Sequence, residues 1–271
     1  MAGSDPSFYA THDLGTEVYD AFADLHIVGS SVEGDVEFYR AAARRTGGPV
    51  LDVGCGTGRI AFALTSDGWE VVGLDRSAPM LALAERRRAG QSPEVAARLE
   101  LVEADLTDFD LGRTFALIVT PFRVFQFLLT PAAQRAGLAT LRRHLAPGGE
   151  LVLDLFDPRL DLCVPEFRPP ADVEVVRHPA TGNDVRVQRL ERVNDPVRQV
   201  FDEVWLSTEV DSAGGELRSL RETLSLRWTY RWEMRHLLEL TGFEVVSEFG
   251  DFQGSPPAYG REQVWVARHR G

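Results

Sequence analysis

Residues 49–58 read Pro49-Val50-Leu51-Asp52-Val53-Gly54-Cys55-Gly56-Thr57-Gly58, a short apolar run that closes on three alternating glycines. A strand buried on both faces is written this way, because helices cover each side of a parallel sheet. The glycines let the backbone turn tightly and come close to a ligand before a helix begins. That helix carries Ile60, Ala61 and Leu64 on one face. Further on, Glu70-Val71-Val72-Gly73-Leu74-Asp75 predicts a second strand, and Ser77 is placed to cap the next helix, with Pro79 in its first turn and Met80 and Leu83 facing inward. A third strand is expected at 99–104, just ahead of Asp105, and a fourth at 115–119. Thr130-Pro131 opens a helix bearing Leu138, Leu141 and Leu145, stopped by Pro147-Gly148-Gly149, and a fifth strand spans 150–156. Strand and helix alternate throughout, which specifies an α/β fold with a parallel, doubly wound sheet.

After Pro158 the rhythm breaks. From about 165 to 229 strand-like runs are joined by turn residues: Pro179-Ala180-Thr181-Gly182-Asn183-Asp184, Asn194-Asp195-Pro196 and Asp211-Ser212-Ala213-Gly214-Gly215. The last run sets Leu220, Leu224, Leu226 and Trp228 on one face, with Glu222 as the exception. Consecutive strands with tight turns pair antiparallel, so an inserted antiparallel sheet of about four strands is expected. A helix at 231–240, ended by Gly242, and strands at 243–249 and 263–268 complete the main fold. The domain reading is an N-terminal helical lid (1–48), a core (49–160 and 230–271) and the antiparallel insertion (161–229).

Composition narrows the function. Hydrophobic residues make up 44% and charged residues 26% of the 271, an ordinary globular balance. The net charge of −12 repels a polyanion, and the nearest basic stripe is Arg86-Arg87-Arg88 with Arg98, so no nucleic-acid partner is expected. All 29 basic residues are Arg, which rules out a lysine Schiff base or a lysine general base. Cys55 and Cys163 form no disulfide framework, and the six histidines lack ligand spacing, so no metal is expected. The N-terminus shows no basic-then-apolar leader, and no apolar run approaches a membrane span; the expectation is a cytoplasmic protein that does not engage a membrane.

Chemistry concentrates around Asp52-Val53-Gly54-Cys55-Gly56-Thr57-Gly58. A dinucleotide-binding turn would want its third glycine or an alanine one position later, where this chain has Arg59. Asp75 ends the second strand 21 positions after Gly54, at the spacing of roughly 20 where a carboxylate accepts ribose hydroxyls. Asp105 ends the third strand in the same way.

Residues 50–156, with their VLDVGCGTG, VVGLD, EADLTDF and LRRHLAPGGELVLDLF segments, resemble a class I S-adenosylmethionine-dependent methyltransferase. The resemblance extends back to Tyr19-Asp20 and to Asp35-Val36-Glu37-Phe38-Tyr39, and forward to RWEMRHLLELTGFEV. With the antiparallel insertion, it is similar to small-molecule N-methyltransferases, including those of amino sugars. It implies a Rossmann-like, seven-stranded and mostly parallel sheet, and S-adenosylmethionine as methyl donor. The 54–58 loop would lie along the methionyl and ribose parts of the donor. Asp75 would bind the ribose, Asp105 the adenine amino group, and Met80 would pack on the adenine face. Gly54, Cys55, Gly56, Arg76 and Leu106 join the same site. The Thr120-Pro121-Phe122-Arg123 segment would border the methyl group, and Phe122, Arg123, Gln126 and Phe127 would meet the acceptor. Tyr19 and Tyr39 are lid or packing residues, and Arg59 reaches the donor's carboxylate or faces solvent.

Two departures stand out. Phe115-Ala116 replaces the usual Phe-Asp at the fourth strand, and Phe127 stands where relatives often carry His. No catalytic base is evident, which favours an amine acceptor over a hydroxyl. An aminopropyltransferase, a tRNA or protein methyltransferase, and a non-catalytic donor-binding protein are the alternatives. Trp205, Trp228 and Leu224 supply apolar surface that suggests an insertion roofing the acceptor and joining a homodimer.

Overall fold

A computed structural model describes residues 8–11, 13–27, 30, 32–168 and 172–269. Residues 1–7, 12, 28, 29 and 31 of the expected lid, and 169–171 of the insertion, lie outside the described residues. The strands are β1 (Val50–Val53), β2 (Val71–Asp75), β3 (Leu99–Glu103), β4 (Phe115–Thr120), β5 (Leu145–Phe156), β6 (Val173–Arg177), β7 (Asp184–Asp195), β8 (Val200–Val210), β9 (Glu216–Arg227), β10 (Phe243–Phe249) and β11 (Glu262–His269). The α-helices are α1 (Leu14–Glu17), α2 (Tyr19–Ile27), α3 (Asp35–Thr46), α4 (Arg59–Ser66), α5 (Ala78–Ala89), α6 (Pro93–Ala97), α7 (Pro131–His144) and α8 (Arg231–Leu240). Two units emerge: residues 31–158 with 228–271, and residues 1–30 with 159–227.

The larger unit is a seven-stranded sheet in the order β10-β11-β5-β4-β1-β2-β3. Pairing is parallel from β5 to β3, and β11 runs antiparallel to both neighbours. Leu138 and Leu141 of α7 and Met234 and Leu238 of α8 pack with Leu51, Val53, Ile118 and Leu153 on one face. Tyr39 and Ala42 of α3 and Ile60 and Leu64 of α4 pack with Val50, Leu117 and Val152 on the other. Chain order reverses between β1 and β4, and in such sheets ligands bind where the strands' carboxyl ends part. Ser77 caps α5 by accepting from the Met80 amide at 3.3 Å, as its position predicts.

Three expectations shift. The strand β5 begins at Leu145, five residues early, because Pro147-Gly148-Gly149 is absorbed as an irregularity in the pairing with β4, with Gly148 at φ 76°. Helix α6 goes unforeseen, although Ser92-Pro93 opens it with the same kind of cap that announces α5. The expected lid divides: α3 belongs to the larger unit, whereas α1 and α2 belong with the insertion.

The smaller unit is a four-stranded antiparallel sheet, β6-β7-β8-β9. Leu14 and Val18 cover Val176, Val185 and Val187, with Phe22, Trp205 and Leu220 beside them. The three turns expected from sequence are present, each closed by a side chain. His178 Nδ1 accepts from the Ala180 and Thr181 amides, Asp195 from those of Val197 and Arg198, and Asp211 from those of Ala213 and Gly215. Glu209 accepts from Thr181 Oγ1 (2.6 Å), Asn183 Nδ2 (2.8 Å) and Arg218 Nε (2.7 Å), and Arg218 also reaches Glu17 of α1. Trp205 packs beside Leu14 and Val18, and Trp228 is wholly buried in the larger unit, so neither offers the outward apolar surface expected of it.

Candidate functional site

The 54–58 turn leaves β1 with Gly54, Gly56 and Gly58 at φ 72°, 54° and 86°, a region that penalises any residue with a Cβ. A Cβ at Gly54 would in addition collide with both methyls of Val124. Asp75, at the end of β2, accepts from the Gly56 amide (2.8 Å) and the Ser77 amide (2.8 Å), so the turn and α5 are tied to one carboxylate. Burial raises its pKa against those two hydrogen bonds. Each oxygen uses one acceptor position this way and keeps another.

Asp52 is more exposed to cost than to water. It is 0% exposed, and neither of its oxygens has a hydrogen-bond partner among the described residues. Burial pushes its carboxyl up to about 7, against the pull of the Arg59 guanidinium. Thr120, at the end of β4, is equally buried, and its hydroxyl also lacks a partner. Buried polar atoms without partners are rare, and a missing ligand is one physical account of them.

After β4 the backbone takes an unusual course. Phe122 and Arg123 lie at φ 57° and 66°, two successive non-glycine residues in the left-handed region. Asp154 of β5 holds them there, accepting from the Phe122 amide (2.9 Å), the Arg123 amide (2.9 Å) and the Tyr39 hydroxyl (2.6 Å). Burial, with Glu262 nearby, pushes the Asp154 carboxyl up to about 7. Strain held by such over-determined bonding is typical of sites that position a ligand.

The remaining expected residues divide into those brought together and those engaged elsewhere. Met80 and Leu106 are buried. Asp105 is exposed and accepts from the Thr107 hydroxyl and amide, which lower its pKa. Arg76 lies 5.7 Å from the centroid of the Phe127 ring, so one expected donor residue meets one expected acceptor residue. Arg59 makes a two-pronged bond to Asp35 (2.9 and 2.5 Å) and stands 5.8 Å from the Phe122 ring. Arg123 pairs with Glu262 at 2.5 Å, and Gln126, fully buried, accepts from the Phe156 amide at 3.1 Å. Tyr39 is fully buried against Asp154. Tyr19 belongs to the smaller unit, with its ring edge-on to Tyr9 at 5.1 Å.

The sequence assigns no site role to Asp154, Asp35 or Glu262, which the structure places beside the expected residues. The signal in the sequence is that Asp154 interrupts the buried apolar run 151–155 of β5. Among the described residues no group of His, Cys, Asp and Glu is arranged to hold a metal ion, and no helix is long and apolar enough to cross a membrane.

Chemically, a glycine turn flanked by a buried carboxylate without partners and a second with acceptor capacity suits a ligand bearing a cation and hydroxyls. S-adenosylmethionine carries an ammonium and two ribose hydroxyls, and these residues fit it. Comparison with known proteins agrees. Residues 50–149 match the family described as a methyltransferase domain. The chain is 30% identical to the cypemycin N-terminal methyltransferase of a Streptomyces species over 97% of its own length and 98% of that protein's. It is 34% identical to the dTDP-3-amino-3,4,6-trideoxy-alpha-D-glucopyranose N,N-dimethyltransferase of Streptomyces venezuelae, over 39% of this chain and 41% of that protein. An S-adenosylmethionine-bound amino pentose methyltransferase from Micromonospora echinaspora superposes with a TM-score of 0.65 at 28% identity, covering 94% of this chain and 97% of that one. The chain belongs to the S-adenosylmethionine-dependent methyltransferases.

Proposed function

We propose that the acceptor of this methyltransferase is an amine nitrogen on a small molecule. The observation that carries the reading is the match along nearly the whole chain to a protein named for methylation at an N-terminus. The similarity to an amino pentose methyltransferase supports it.

In this reading the chain works chiefly by placement. Bound S-adenosylmethionine supplies a methyl already activated by its sulfonium. Alignment of two reactants can be worth roughly 7–11 kcal/mol, so fixed geometry can carry much of the rate. Asp75 would accept the ribose hydroxyls, and Asp52 would face the methionyl ammonium. Asp105 and Leu106 would meet the adenine edge, with Met80 on its face. Asp154 and Tyr39, by pinning Phe122 and Arg123, would hold the backbone bordering the methyl group. Their partners make Arg123 and Gln126 supports of that backbone more readily than acceptor ligands. Arg59, paired with Asp35, would steady α3 against the start of α4.

The reading includes a homodimer, in the cytoplasm where the donor is made, with no metal, nucleic acid or membrane as partner. Val173 and Val175, 49% and 53% exposed on one face of β6, support an apolar contact between copies. Light scattering showing a species near 60 kDa would be the expected result. The acceptor is tested by incubating enzyme and donor with matched panels of amines, among them peptides with free N-termini and amino sugars, and of the corresponding alcohols. Products 14 Da heavier should form from the amines; products from alcohols alone would overturn the amine reading.

A further inference from the structure

The sequence makes α3 part of a lid, yet two of its side chains are interior. Asp35 and Tyr39 stand four residues apart, so they lie on one face of the helix, and they are 1% and 0% exposed. Each grips a different part of the site. Asp35 makes the two-pronged bond to Arg59, the first residue of α4, directly after the glycine turn. Its carboxylate also accepts from the Val36 amide at 2.7 Å, which helps to fix its orientation. Tyr39 donates its hydroxyl to Asp154, and Asp154 also accepts from the amides of Phe122 and Arg123.

These contacts close on themselves. The Arg59 guanidinium faces the Phe122 ring, and the Phe122 amide is held by Asp154. The circuit therefore runs from Asp35 to Arg59, to Phe122, to Asp154, to Tyr39, and back along one turn of α3. Asp35, Tyr39 and Asp154 are all out of water, where polar contacts are strong and linked bonds reinforce one another. Val124, next after the left-handed pair, rests on Gly54. The circuit thus joins the two segments that flank the point where chain order reverses.

We propose that Asp35 and Tyr39 are paired positioning residues for methyl transfer: through Arg59 and Asp154 they hold the start of α4 and the 121–124 segment at one spacing. In this role α3 is a fixed clamp, and neither of its two side chains meets the reacting atoms. An in-line transfer depends on such spacing, since a misplacement of about 1 Å caused far from the chemistry can cost on the order of 100-fold in rate. The clamp rests on the placement of donor and methyl group proposed above; it is indifferent to whether the acceptor is an amine or a hydroxyl.

The test is a double-mutant cycle on the full chain. Tyr39→Phe removes only the hydroxyl, and Asp35→Asn removes the charge facing Arg59 while an amide oxygen can still accept from Val36. Rates are read at saturating donor with the fastest acceptor among the peptides, amino sugars and alcohols above. Each single variant should lower kcat by about tenfold, and the double variant should be little slower than the slower single, because either change opens the same circuit. Donor affinity, read by calorimetric titration, should move by less than about threefold, which also reports that the variants fold. Amide exchange at Phe122 and Arg123, followed by NMR, should quicken in Asp35→Asn, although Asp35 bonds to neither amide. If Asp35→Asn does not fold, Arg59→Gln opens the same link from its other end. Losses that multiply in the double variant would make the two residues independent supports and overturn the clamp. Unchanged kcat in both single variants, or a kcat that falls only in step with donor affinity, would overturn it too. Should Asp75→Ala keep the parent's donor affinity, the donor placement fails, while non-multiplying losses in the cycle would still uphold the clamp.

Discussion

The two sheets of this chain bury acids by different routes. In the seven-stranded sheet, Asp52 and Asp154 sit within runs buried on both faces, 50–53 of β1 and 149–155 of β5, where an acid has nowhere else to go. In the four-stranded sheet, burial alternates less regularly, and Glu222 is interior only because the N-terminal residues around Tyr9 and Gly15 lie over it. In the first case the strand pattern alone puts the acid inside. In the second, burial depends on a segment more than 200 residues away in sequence. Burial of Asp52 should therefore tolerate change in distant segments, and that of Glu222 should not.

The sharpest way to break this contrast is at the glycine turn. Gly54→Ala places a Cβ at positive φ and against Val124, and should cost about 3 kcal/mol from backbone and overpacking together. Thermal unfolding should shift down by many degrees, and donor affinity should collapse; an unchanged midpoint would mean the two loops can separate freely. Next in size is Asp75→Ala. Each charge-assisted hydrogen bond is worth about 1.5–3 kcal/mol, so donor affinity should fall by about tenfold or more, with the chain still folded. Calorimetric titration giving the parent affinity would detach Asp75 from the donor site. The smallest effect should come from the smaller unit. Hydrogen bonds from Thr181, Arg218 and Asn183 hold the Glu209 carboxyl down to about 2. A depressed acid stabilises the fold above its unfolded value near 4.3 and loses that contribution as pH falls towards 2. Glu209→Gln should cost about 1 kcal/mol at neutral pH and flatten the acid limb of the stability curve, read by urea unfolding across pH 2–7.

How much of this was legible depended on which residues fold against near neighbours in sequence. The turn at 54–58, the cap at Ser77, and the order of strands each need only a few adjacent residues, and all are present as expected. The three turns of the insertion were equally readable, because His178, Asp195 and Asp211 close them locally. The site's polar pairs were not. Arg59 reads as a residue bound for ligand or solvent until α3 delivers Asp35 beside it. Tyr39 reads as a lid or packing residue until β5, more than 100 positions later, offers Asp154. Which segments the first 30 residues join is likewise a matter of tertiary choice, and the sequence pattern of α1 and α2 does not record it.

The close approach of Gly54 to Val124 has a consequence for anyone wishing to redirect this enzyme. Segments that follow β4 are natural places to graft a relative's loop in search of a new acceptor. Here such a graft would carry a hidden passenger, since whatever occupies position 124 rests directly on the glycine turn proposed to hold the donor. A bulkier residue there would press on Gly54, and a smaller one would leave it unsupported. In the proposed site, acceptor choice and donor grip are thus linked through one valine. A library that varies 121–127 should hold that residue fixed, or vary it together with the loop that faces it.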